Sequence, residues 1–395
     1  MADWKELESK YYMQTMVRIP VTLVRGEGMR VWDDKGKEYL DFVGGLAVDS
    51  LGHCHPVVAD ALNEQARTLM QVSNWYYSVP QVKLAQLLVE NSCFDRVFVC
   101  NSGLEANEGA VKLARRYGHL NLNGAYEVIT TMNSFHGRSL AMTAASGQEA
   151  MHTPYVPLPA GFINVKNNDI DAIKEATTDN TCAIMLEPVQ AEGGVNIADD
   201  DYLAKVRAWC DSQGILLILD EVQTGICRLG PLFGYEVYGV EPDIISLAKG
   251  LGGGIPIGAV LAKEHCAVFK PGDHNATFGG NPVTSAAAYA TLKYIIENDF
   301  PSRVKKAGDY LMATMKGLQD QFPVITEVRG KGLLVAMQFS GDIAQDVLMA
   351  CLDRGLLVNR LKPNTIRFIP PLIISNADVD EAAGILRAVL SGITA

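Results

Sequence analysis

Residues 215–225 read ILLILDEVQTG, and residues 242–258 read PDIISLAKGLGGGIPIG. The first stretch places Asp220 directly after the five apolar residues 215–219. The second places Lys249 after another apolar run and before a cluster of glycines. Apolar runs of this length are typical of buried strands in a parallel sheet, and ligands of open α/β sheets lie at the carboxyl ends of the strands. The two stretches therefore predict a sheet that brings Asp220 and Lys249 to one edge.

Strands and helices alternate between about residues 97 and 262, which predicts a mostly parallel sheet covered by helices on both faces. The strand-like runs are VFVC, YEVITTM, CAIMLEP, ILLILDE, DIISLA and GAVLA. The pattern then changes to an amphipathic helix over residues 302–320 and further short strands. We therefore expect an α/β fold with a large, cofactor-binding domain over residues 56–300. A smaller α+β domain would combine residues 301–395 with the N-terminal segment 1–55.

The composition is that of a soluble globular protein. The 395 residues exceed what one ordinary core holds, and they carry a formal net charge of −11. That charge argues against nucleic acid or an anionic membrane as a partner. No stretch approaches ~18 consecutive apolar residues, and the N-terminal MADWKELESKYY lacks the apolar core of a signal peptide. Eight scattered cysteines without a CxxC pair favour reduced thiols in the cytoplasm.

The pair of Asp220 and Lys249 suits a pyridine aldehyde. A lysine amine can form an imine with the aldehyde, and an aspartate can keep the ring nitrogen protonated. We choose Asp220 over Glu221 because it is the first residue past the apolar run, and Gln223 could hydrogen-bond a phenolic oxygen on the ring. The alternatives are a helix-capping carboxylate at position 220 and an exposed lysine at position 249. The pair predicts pyridoxal 5′-phosphate (PLP) as cofactor.

A phosphate site is predicted where Asn101-Ser102-Gly103 joins the strand VFVC to a strong helix. The first N–H groups of that helix have no partners within it, and its dipole favours an anion. An ordinary helix cap at Ser102 is the alternative. Phe135, in SFHGRS, offers a ring face on which a planar cofactor can stack.

Two arginines are candidates for binding substrate carboxylates. Arg138 follows Phe135 by three residues, and Arg367 lies in TIRFIPP. A guanidinium is a planar, fork-shaped cation that suits a carboxylate, and a structural salt bridge is the alternative at both positions. An enzyme that acts on amino acids and 2-oxo acids needs two such groups.

Two further patterns give weaker signals. GLGGGIPIG has the glycines of a dinucleotide-binding loop, but it lacks a following helix with an acidic residue about 20 positions on. His53 and His55, in GHCHP, have the spacing of metal ligands without a further ligand cluster. We therefore expect neither a nicotinamide cofactor nor a metal, and we interpret both histidines as structural.

A series of motifs in a fixed order extends over almost the whole chain: VRGEGMRVWDDKGKEYLDF, SLGHCHP, CNSGLEANE, FHGRS, EPVQAEGG, LDEVQTG, AKGLGGGIPIGAV, TFGGNP, VRGKGL and RFIPPL. Together they resemble the class III (subgroup II) PLP-dependent aminotransferases of fold type I. Within that family the sequence is most similar to the acetylornithine aminotransferase branch, which also covers succinylornithine and succinyldiaminopimelate. Several independent motifs are far more specific than any one of them.

The resemblance implies a homodimer with shared active sites and assigns seven residues to the cofactor. They are Lys249 as the covalent attachment, Asp220 at the ring nitrogen, Gln223 at the phenolic oxygen, Phe135 on the ring face, Ser102 and Gly103 at the phosphate, and Thr277 of the partner subunit, also at the phosphate.

The resemblance also implies how substrates are held. Arg138 and Arg367 would bind carboxylates, and Glu192 resembles the acid that masks the second arginine by pairing with it. This gate would let one site accept both a mono-carboxylate donor and the dicarboxylate glutamate. Ala276, next to Thr277, would lie with the substrate-binding residues.

The sequence departs from the family pattern at Leu104, Ala191, Cys227 and Leu229. None of these changes removes a catalytic group, but Ala191 lies near the gate and bears on substrate preference. Leu46 stands where ornithine transaminases resemble one another in having a tyrosine for the free α-amino end of the donor. Its apolar side chain favours an acylated donor.

The resemblance implies transfer of the terminal amino group of N-acetylornithine, or of a similar acylated diamino acid, to 2-oxoglutarate. The products would be a semialdehyde and glutamate, in arginine or lysine biosynthesis. The alternatives are a transaminase of 4-aminobutyrate or another ω-amino acid, and an aminomutase or epimerase on the same scaffold. A catalytically silent PLP-fold binding protein and a nicotinamide-dependent oxidoreductase are the alternatives outside this chemistry.

Overall fold

The computed structural model describes residues 4–393. They form thirteen α-helices: α1 (Trp4–Tyr11), α2 (Gly44–Ala47), α3 (Pro56–Thr68), α4 (Val79–Glu90), α5 (Gly103–Asn121), α6 (Leu140–Ala145), α7 (Glu149–His152), α8 (Ile170–Ala176), α9 (Tyr202–Gln213), α10 (Pro282–Glu297), α11 (Phe300–Gln321), α12 (Ala344–Asp353) and α13 (Asn376–Ile393). The predicted helix over residues 302–320 corresponds to α11. No helix between residues 4 and 393 is both long and apolar enough to cross a membrane.

The same part of the chain forms seventeen strands: β1 (Leu23–Glu27), β2 (Arg30–Asp33), β3 (Glu38–Asp41), β4 (Arg96–Cys100), β5 (Glu127–Thr131), β6 (Phe162–Val165), β7 (Thr181–Leu186), β8 (Val189–Gln190), β9 (Asn196–Ile197), β10 (Leu216–Asp220), β11 (Ile244–Leu247), β12 (Gly258–Ala262), β13 (Ile325–Lys331), β14 (Leu334–Phe339), β15 (Leu356–Leu357), β16 (Asn359–Lys362) and β17 (Thr365–Phe368). Strands β2 and β3 form an antiparallel hairpin.

A seven-stranded sheet forms the centre of the molecule, in the order β4-β12-β11-β10-β7-β5-β6. Neighbours from β11 to β6 run parallel, while β12 runs antiparallel to both β11 and β4. Every residue of β7, β10, β11 and β12 is buried, which explains their continuous apolar sequences. The prediction of a mostly parallel sheet in an α/β fold is confirmed.

The register of this sheet aligns the two stretches that carry the predicted chemistry. Strands β10 and β11 are parallel neighbours, and Asp220 lies opposite Ser246. Lys249 follows Ser246 by three residues and begins the 3₁₀ turn Lys249–Gly252. Asp220 and Lys249 therefore leave the sheet at the same edge.

Two smaller four-stranded sheets lie outside the central one, in the orders β1-β2-β3-β15 and β13-β14-β17-β16. Strand β3 pairs in parallel with β15, and Leu40 lies opposite Leu356. This pairing connects the N-terminal segment to the C-terminal part of the chain. It supports grouping residues 1–55 with 301–395, although the exact domain division stays a prediction.

Gly118 lets α5 lie directly against the central sheet. A Cβ atom at this position would collide with the carbonyl oxygen of Ala125 and lie 2.7 Å from Cβ of Cys182. We expect Gly118→Ala to lower the free energy of unfolding by about 3 kcal/mol, since backbone must move to admit the methyl group. Gly384→Ala, in α13 with open space around it, should raise it by about 0.5–1 kcal/mol through helix propensity. Chemical denaturation measures the free energy of unfolding of both variants. A denaturation midpoint of Gly118→Ala equal to that of the wild type would contradict the close packing at Gly118.

Candidate active site

A cavity of about 510 Å³ lies at the carboxyl ends of β4, β10 and β11. This volume is typical of a site that encloses a cofactor or a small substrate. Eight of the predicted site residues line it: Ser102, Gly103, Phe135, Arg138, Glu192, Asp220, Gln223 and Lys249. Segments far apart in the sequence therefore meet around one space.

Lys249 lies half-buried in the wall of this cavity, so the structure does not support the alternative of an exposed surface lysine. Its backbone has a positive φ of 42°, which is a strained conformation for a residue with a side chain. Burial lowers the pKa of the Lys249 amine, and the nearby Glu192, Asp220 and Glu187 carboxylates oppose that shift only in part. A lowered pKa makes the neutral, nucleophilic form of the amine more accessible.

Four donors surround the Asp220 carboxylate at the end of β10, among them the Ser246 hydroxyl at 3.5 Å. Its Oδ2 atom lies 2.7 Å from Nδ1 of His136 and accepts a hydrogen bond of 2.7 Å from Nδ2 of Asn107. Its Oδ1 atom accepts a hydrogen bond of 3.0 Å from the Val222 N–H. Only 4 % of Asp220 is exposed, so its carboxylate is fixed in one orientation toward the cavity.

His136 and Asn107 were not identified as site residues from the sequence. Burial alone would lower the pKa of His136, but the hydrogen bond and the charge of Asp220 outweigh it and raise the pKa. The Nε2 atom of His136 is buried and has no hydrogen-bond partner within residues 4–393. A signal existed for Asn107, which is a polar residue on the apolar, buried face of α5.

Glu221 follows Asp220 but faces away from the cavity. Its two oxygens accept hydrogen bonds from the Gly234 N–H (2.5 Å) and the Tyr235 N–H (2.7 Å). Burial raises the pKa of Glu221 to about 8, although these two donors lower it in part. Glu221 therefore anchors the segment after β10, while Asp220 faces the site.

The raised pKa of Glu221 predicts a pH-dependent stability. The unfolded chain loses the Glu221 proton near pH 4.5 and the folded chain near pH 8, so stability falls as the pH rises between these values. The slope approaches about 1.4 kcal/mol per pH unit for one group. Denaturant midpoints at pH 6 and pH 8 should differ less in Glu221→Gln than in the wild type. The exposed Glu175→Gln serves as control, and an unchanged pH dependence in Glu221→Gln would contradict the shift.

The predicted phosphate site lies at the start of α5. Ser102 caps the helix, and its Oγ atom accepts a hydrogen bond of 3.2 Å from the Glu105 N–H. A Cβ atom on residue 103 would lie 2.7 Å from Cγ1 of Val222, so only glycine fits there. Ser102 is therefore both an ordinary cap and part of the cavity wall, and the bare backbone beside it faces the cavity.

Arg367, in β17, lies behind the cavity and is completely buried. Its Nη1 atom lies 2.8 Å from Oε1 of Glu192, and it also donates to the carbonyl oxygen of Ala191 at 3.1 Å. Its Nε atom donates to Oδ1 of Asn359 at 3.1 Å. Burial alone would raise the pKa of Glu192, but the charges of Arg367 and Lys249 lower it on balance. Glu192 and Arg367 thus form the ion pair that the family resemblance implied, while its role in substrate binding stays a prediction.

Arg138 and Phe135 lie together at the cavity. The Arg138 guanidinium is 5.5 Å from the centre of the Phe135 ring, and its side chain is exposed. The Phe135 N–H donates a hydrogen bond of 2.9 Å to Oε1 of Glu187, whose Oε2 accepts one of 3.1 Å from the Ala191 N–H. Glu187, in EPVQ, was also missed from the sequence although it lines the cavity.

Thr277 and Ala276 lie outside the cavity of their own chain. Thr277 is exposed, and its carbonyl oxygen accepts a hydrogen bond of 2.6 Å from Nε2 of Gln71. The Ala276 carbonyl oxygen accepts one of 2.8 Å from Nδ2 of Asn74. Their position is open for contact with another molecule.

The two histidines of GHCHP make local contacts. Nε2 of His53 lies 2.7 Å from Oδ2 of Asp41, and Nδ1 of His55 accepts a hydrogen bond of 3.3 Å from the Val57 N–H at the start of α3. Within residues 4–393 no group of three His, Cys, Asp or Glu side chains is arranged to hold a metal ion.

Comparisons with known proteins agree with this geometry. The family model of class-III aminotransferases matches residues 11–390. An acetylornithine aminotransferase of Caldanaerobacter subterraneus subsp. tengcongensis is 52 % identical over 98 % of each chain. The crystal structure of the ornithine aminotransferase from Toxoplasma gondii has a TM-score of 0.96 and 33 % identity, covering 99 % of this chain and 95 % of that one. The acetylornithine aminotransferase from Elizabethkingia anophelis has a TM-score of 0.88 and 34 % identity over 98 % of both chains.

Proposed function

This chain belongs to the class-III aminotransferase family, and on that basis we propose that it transfers the terminal amino group of N-acetylornithine to 2-oxoglutarate, with PLP as cofactor. The observation that carries the proposal is the meeting of Lys249 and Asp220 in one cavity beside the Glu192–Arg367 pair. The similar proteins named acetylornithine aminotransferase support the choice of donor.

The cavity suits PLP in its donor set and in its shape. We propose that Ser102 and Gly103 bind the phosphate, because the first N–H groups of a helix have no partners within it and Gly103 carries no side chain beside them. Phe135 would lie against the ring, and Asp220 would face its nitrogen. Lys249 would provide the covalent attachment. When bound, PLP supplies a sink for the electrons released at the donor carbon.

The chain's own residues then have two tasks in proton transfer. Lys249, whose pKa burial lowers, would remove the proton from the donor carbon as a general base and deliver it to the former aldehyde carbon of the cofactor as a general acid. Asp220, whose Oδ2 atom lies 2.7 Å from Nδ1 of His136, would hold a proton at the ring nitrogen. Asp220 ends β10 and Lys249 follows its neighbour β11, so one residue would act at the ring nitrogen and the other at the donor carbon.

Substrate selection is assigned to the two arginines. Arg138 would bind the carboxylate of the donor at the cavity, since it is exposed and forms no ion pair within residues 4–393. Arg367 would stay covered by Glu192 while a mono-carboxylate is bound, and would bind the second carboxylate of 2-oxoglutarate or glutamate once Glu192 moves away. Leu46, at a positive φ of 67° and two residues before the cavity residue Val48, favours a donor with an acylated end.

Steady-state kinetics tests the choice of donor. We expect kcat/KM for N-acetylornithine to exceed the values for ornithine and 4-aminobutyrate, with 2-oxoglutarate as acceptor. Succinylornithine and succinyldiaminopimelate complete the series, and pyruvate is the alternative acceptor. A clear preference for 4-aminobutyrate would overturn the proposal in favour of an ω-amino acid transaminase.

We further propose that the protein works as a homodimer in which Thr277 completes the phosphate site of the neighbouring subunit. Large apolar side chains are exposed near it, including Trp75 (85 %), Tyr77 (99 %) and Phe278 (62 %). A patch of this kind marks a protein interface. Sedimentation measures the state of assembly, and a stable monomer would contradict the proposal.

A mixed dimer tests the sharing of the site. A subunit with Lys249→Ala and a subunit with Thr277→Ala should together form one intact site, because each supplies what the other lacks. Activity of the mixture should therefore exceed that of either variant alone. If mixing restores nothing, Thr277 acts within its own subunit or not at all.

We place the protein in the cytoplasm. All eight cysteines are free thiols, and six of them are buried. Unpaired cysteines in this number are typical of a reducing compartment.

A further inference from the structure

Gln223 closes a ring of contacts with the two residues of the gate. Its Nε2 atom donates a hydrogen bond of 3.0 Å to Oε1 of Glu192. Its Oε1 atom accepts one of 3.0 Å from Nη1 of Arg367, which lies 2.8 Å from the same Glu192 oxygen. Each of the three side chains therefore contacts the other two.

The amide of Gln223 matches the charges of the pair. Its NH₂ end faces the carboxylate, and its oxygen faces the guanidinium, so the ion pair fixes the orientation of the amide. Only 7 % of Gln223 and none of Arg367 is exposed. Hydrogen bonds to charged groups are strong where water is excluded, so these contacts stabilise the closed arrangement.

We propose that Gln223 is a positioning residue that latches Glu192 onto Arg367 and thereby sets the affinity of the site for dicarboxylates. The proposal rests on the aminotransferase function proposed above. A dicarboxylate must displace Glu192 from Arg367, and the bond between Gln223 and Glu192 is lost in that step. The apparent dissociation constant of the dicarboxylate equals the intrinsic one divided by the fraction of molecules in which the gate is open. A more stable closed gate therefore weakens dicarboxylate binding.

The latch also links the gate to the cofactor. The Nε2 atom that holds Glu192 in the closed gate is the donor that the sequence assigns to the phenolic oxygen of the ring. Opening of the gate frees one of the two N–H groups of this amide. Gln223 is therefore bonded to Glu192 in the half-reaction with the mono-carboxylate donor, and this bond is absent in the half-reaction with the dicarboxylate.

Two substitutions at Gln223 should shift dicarboxylate binding in opposite directions. Gln223→Met removes both hydrogen bonds at similar volume, so the gate opens more readily and glutarate should bind the holoenzyme about fivefold more tightly. Gln223→Glu adds a carboxylate that competes for Arg367, so glutarate should bind about tenfold more weakly. Isothermal titration of glutarate, which has no amine or oxo group to react, measures both. If the substitutions only disturbed the fold, glutarate would bind more weakly to both variants. Weaker binding to both would overturn the proposal.

A double-mutant cycle with Glu192→Gln shows whether Gln223 acts through the gate. In the Glu192→Gln protein the ion pair is already absent, so adding Gln223→Met should change the glutarate dissociation constant less than twofold. An equal effect of Gln223→Met in both backgrounds would overturn the latch. Because glutarate binding needs no turnover, the latch and the proposed donor are tested separately. If the protein turns over N-acetylornithine but the effects of the two substitutions on glutarate binding are additive, the latch is wrong and the proposed function stands.

Discussion

Replacing Lys249 with alanine is expected to abolish transamination, lowering kcat/KM for N-acetylornithine by at least about 10⁵-fold, as loss of a covalent catalytic group does elsewhere. The variant loses both the attachment point of the cofactor and the group that moves the proton at the donor carbon. No other lysine among residues 4–393 lines the cavity. A neighbouring amine therefore cannot take over either task.

Steady-state kinetics measures the loss of activity, and chemical reduction identifies the lysine to which the cofactor is attached. Treatment of the wild-type holoenzyme with borohydride should fix the cofactor on Lys249, and peptide mass spectrometry should find the added mass there. Lys306→Ala, at an exposed position on α11, is the matched control and should keep full activity. Wild-type turnover by the Lys249→Ala protein would contradict the proposed mechanism.

Much of the fold was predictable because the buried strands have distinctive sequences. The run ILLILD became β10 with all its residues buried, and the helix expected over residues 302–320 became α11. The antiparallel direction of β12 was less accessible from the sequence. It follows from the short connection after β11, which has no room for the crossover helix that a parallel neighbour would need. Strand β6 at the sheet edge was not identified, since only its last residue is buried.

Some residues of the site were likewise predictable from the sequence, and others were not. Lys249 and Asp220 were predictable because charged residues directly after apolar strands are unusual, whereas His136 follows a loop and its role depends on a contact 84 positions away. The ring of Gln223, Glu192 and Arg367 joins three distant segments. Periodicity and spacing describe neighbours along the chain, and they carry no information on which of these segments meet.

Replacing Asp220 with asparagine is expected to lower kcat by about 10³-fold, within the range typical of a lost acid–base group. An amide has no charge with which to keep the ring nitrogen protonated, so the electron sink weakens. The pair with His136 at 2.7 Å also loses its anion. Asp211→Asn, which removes an exposed carboxylate paired with Arg207 at 2.8 Å, is the matched control and should leave kcat unchanged.

Weak retention of PLP could also slow the Asp220→Asn protein, and the two causes give different results. If the variant only binds the cofactor poorly, saturating PLP restores kcat. If Asp220 holds a proton at the ring nitrogen, kcat stays low at saturation, because the bound ring still lacks its charged partner. The carboxylate is fixed by Asn107 and Val222 as well as by His136, so its position does not depend on the cofactor. We therefore expect the loss to persist at saturating PLP, and full recovery would limit Asp220 to a binding role.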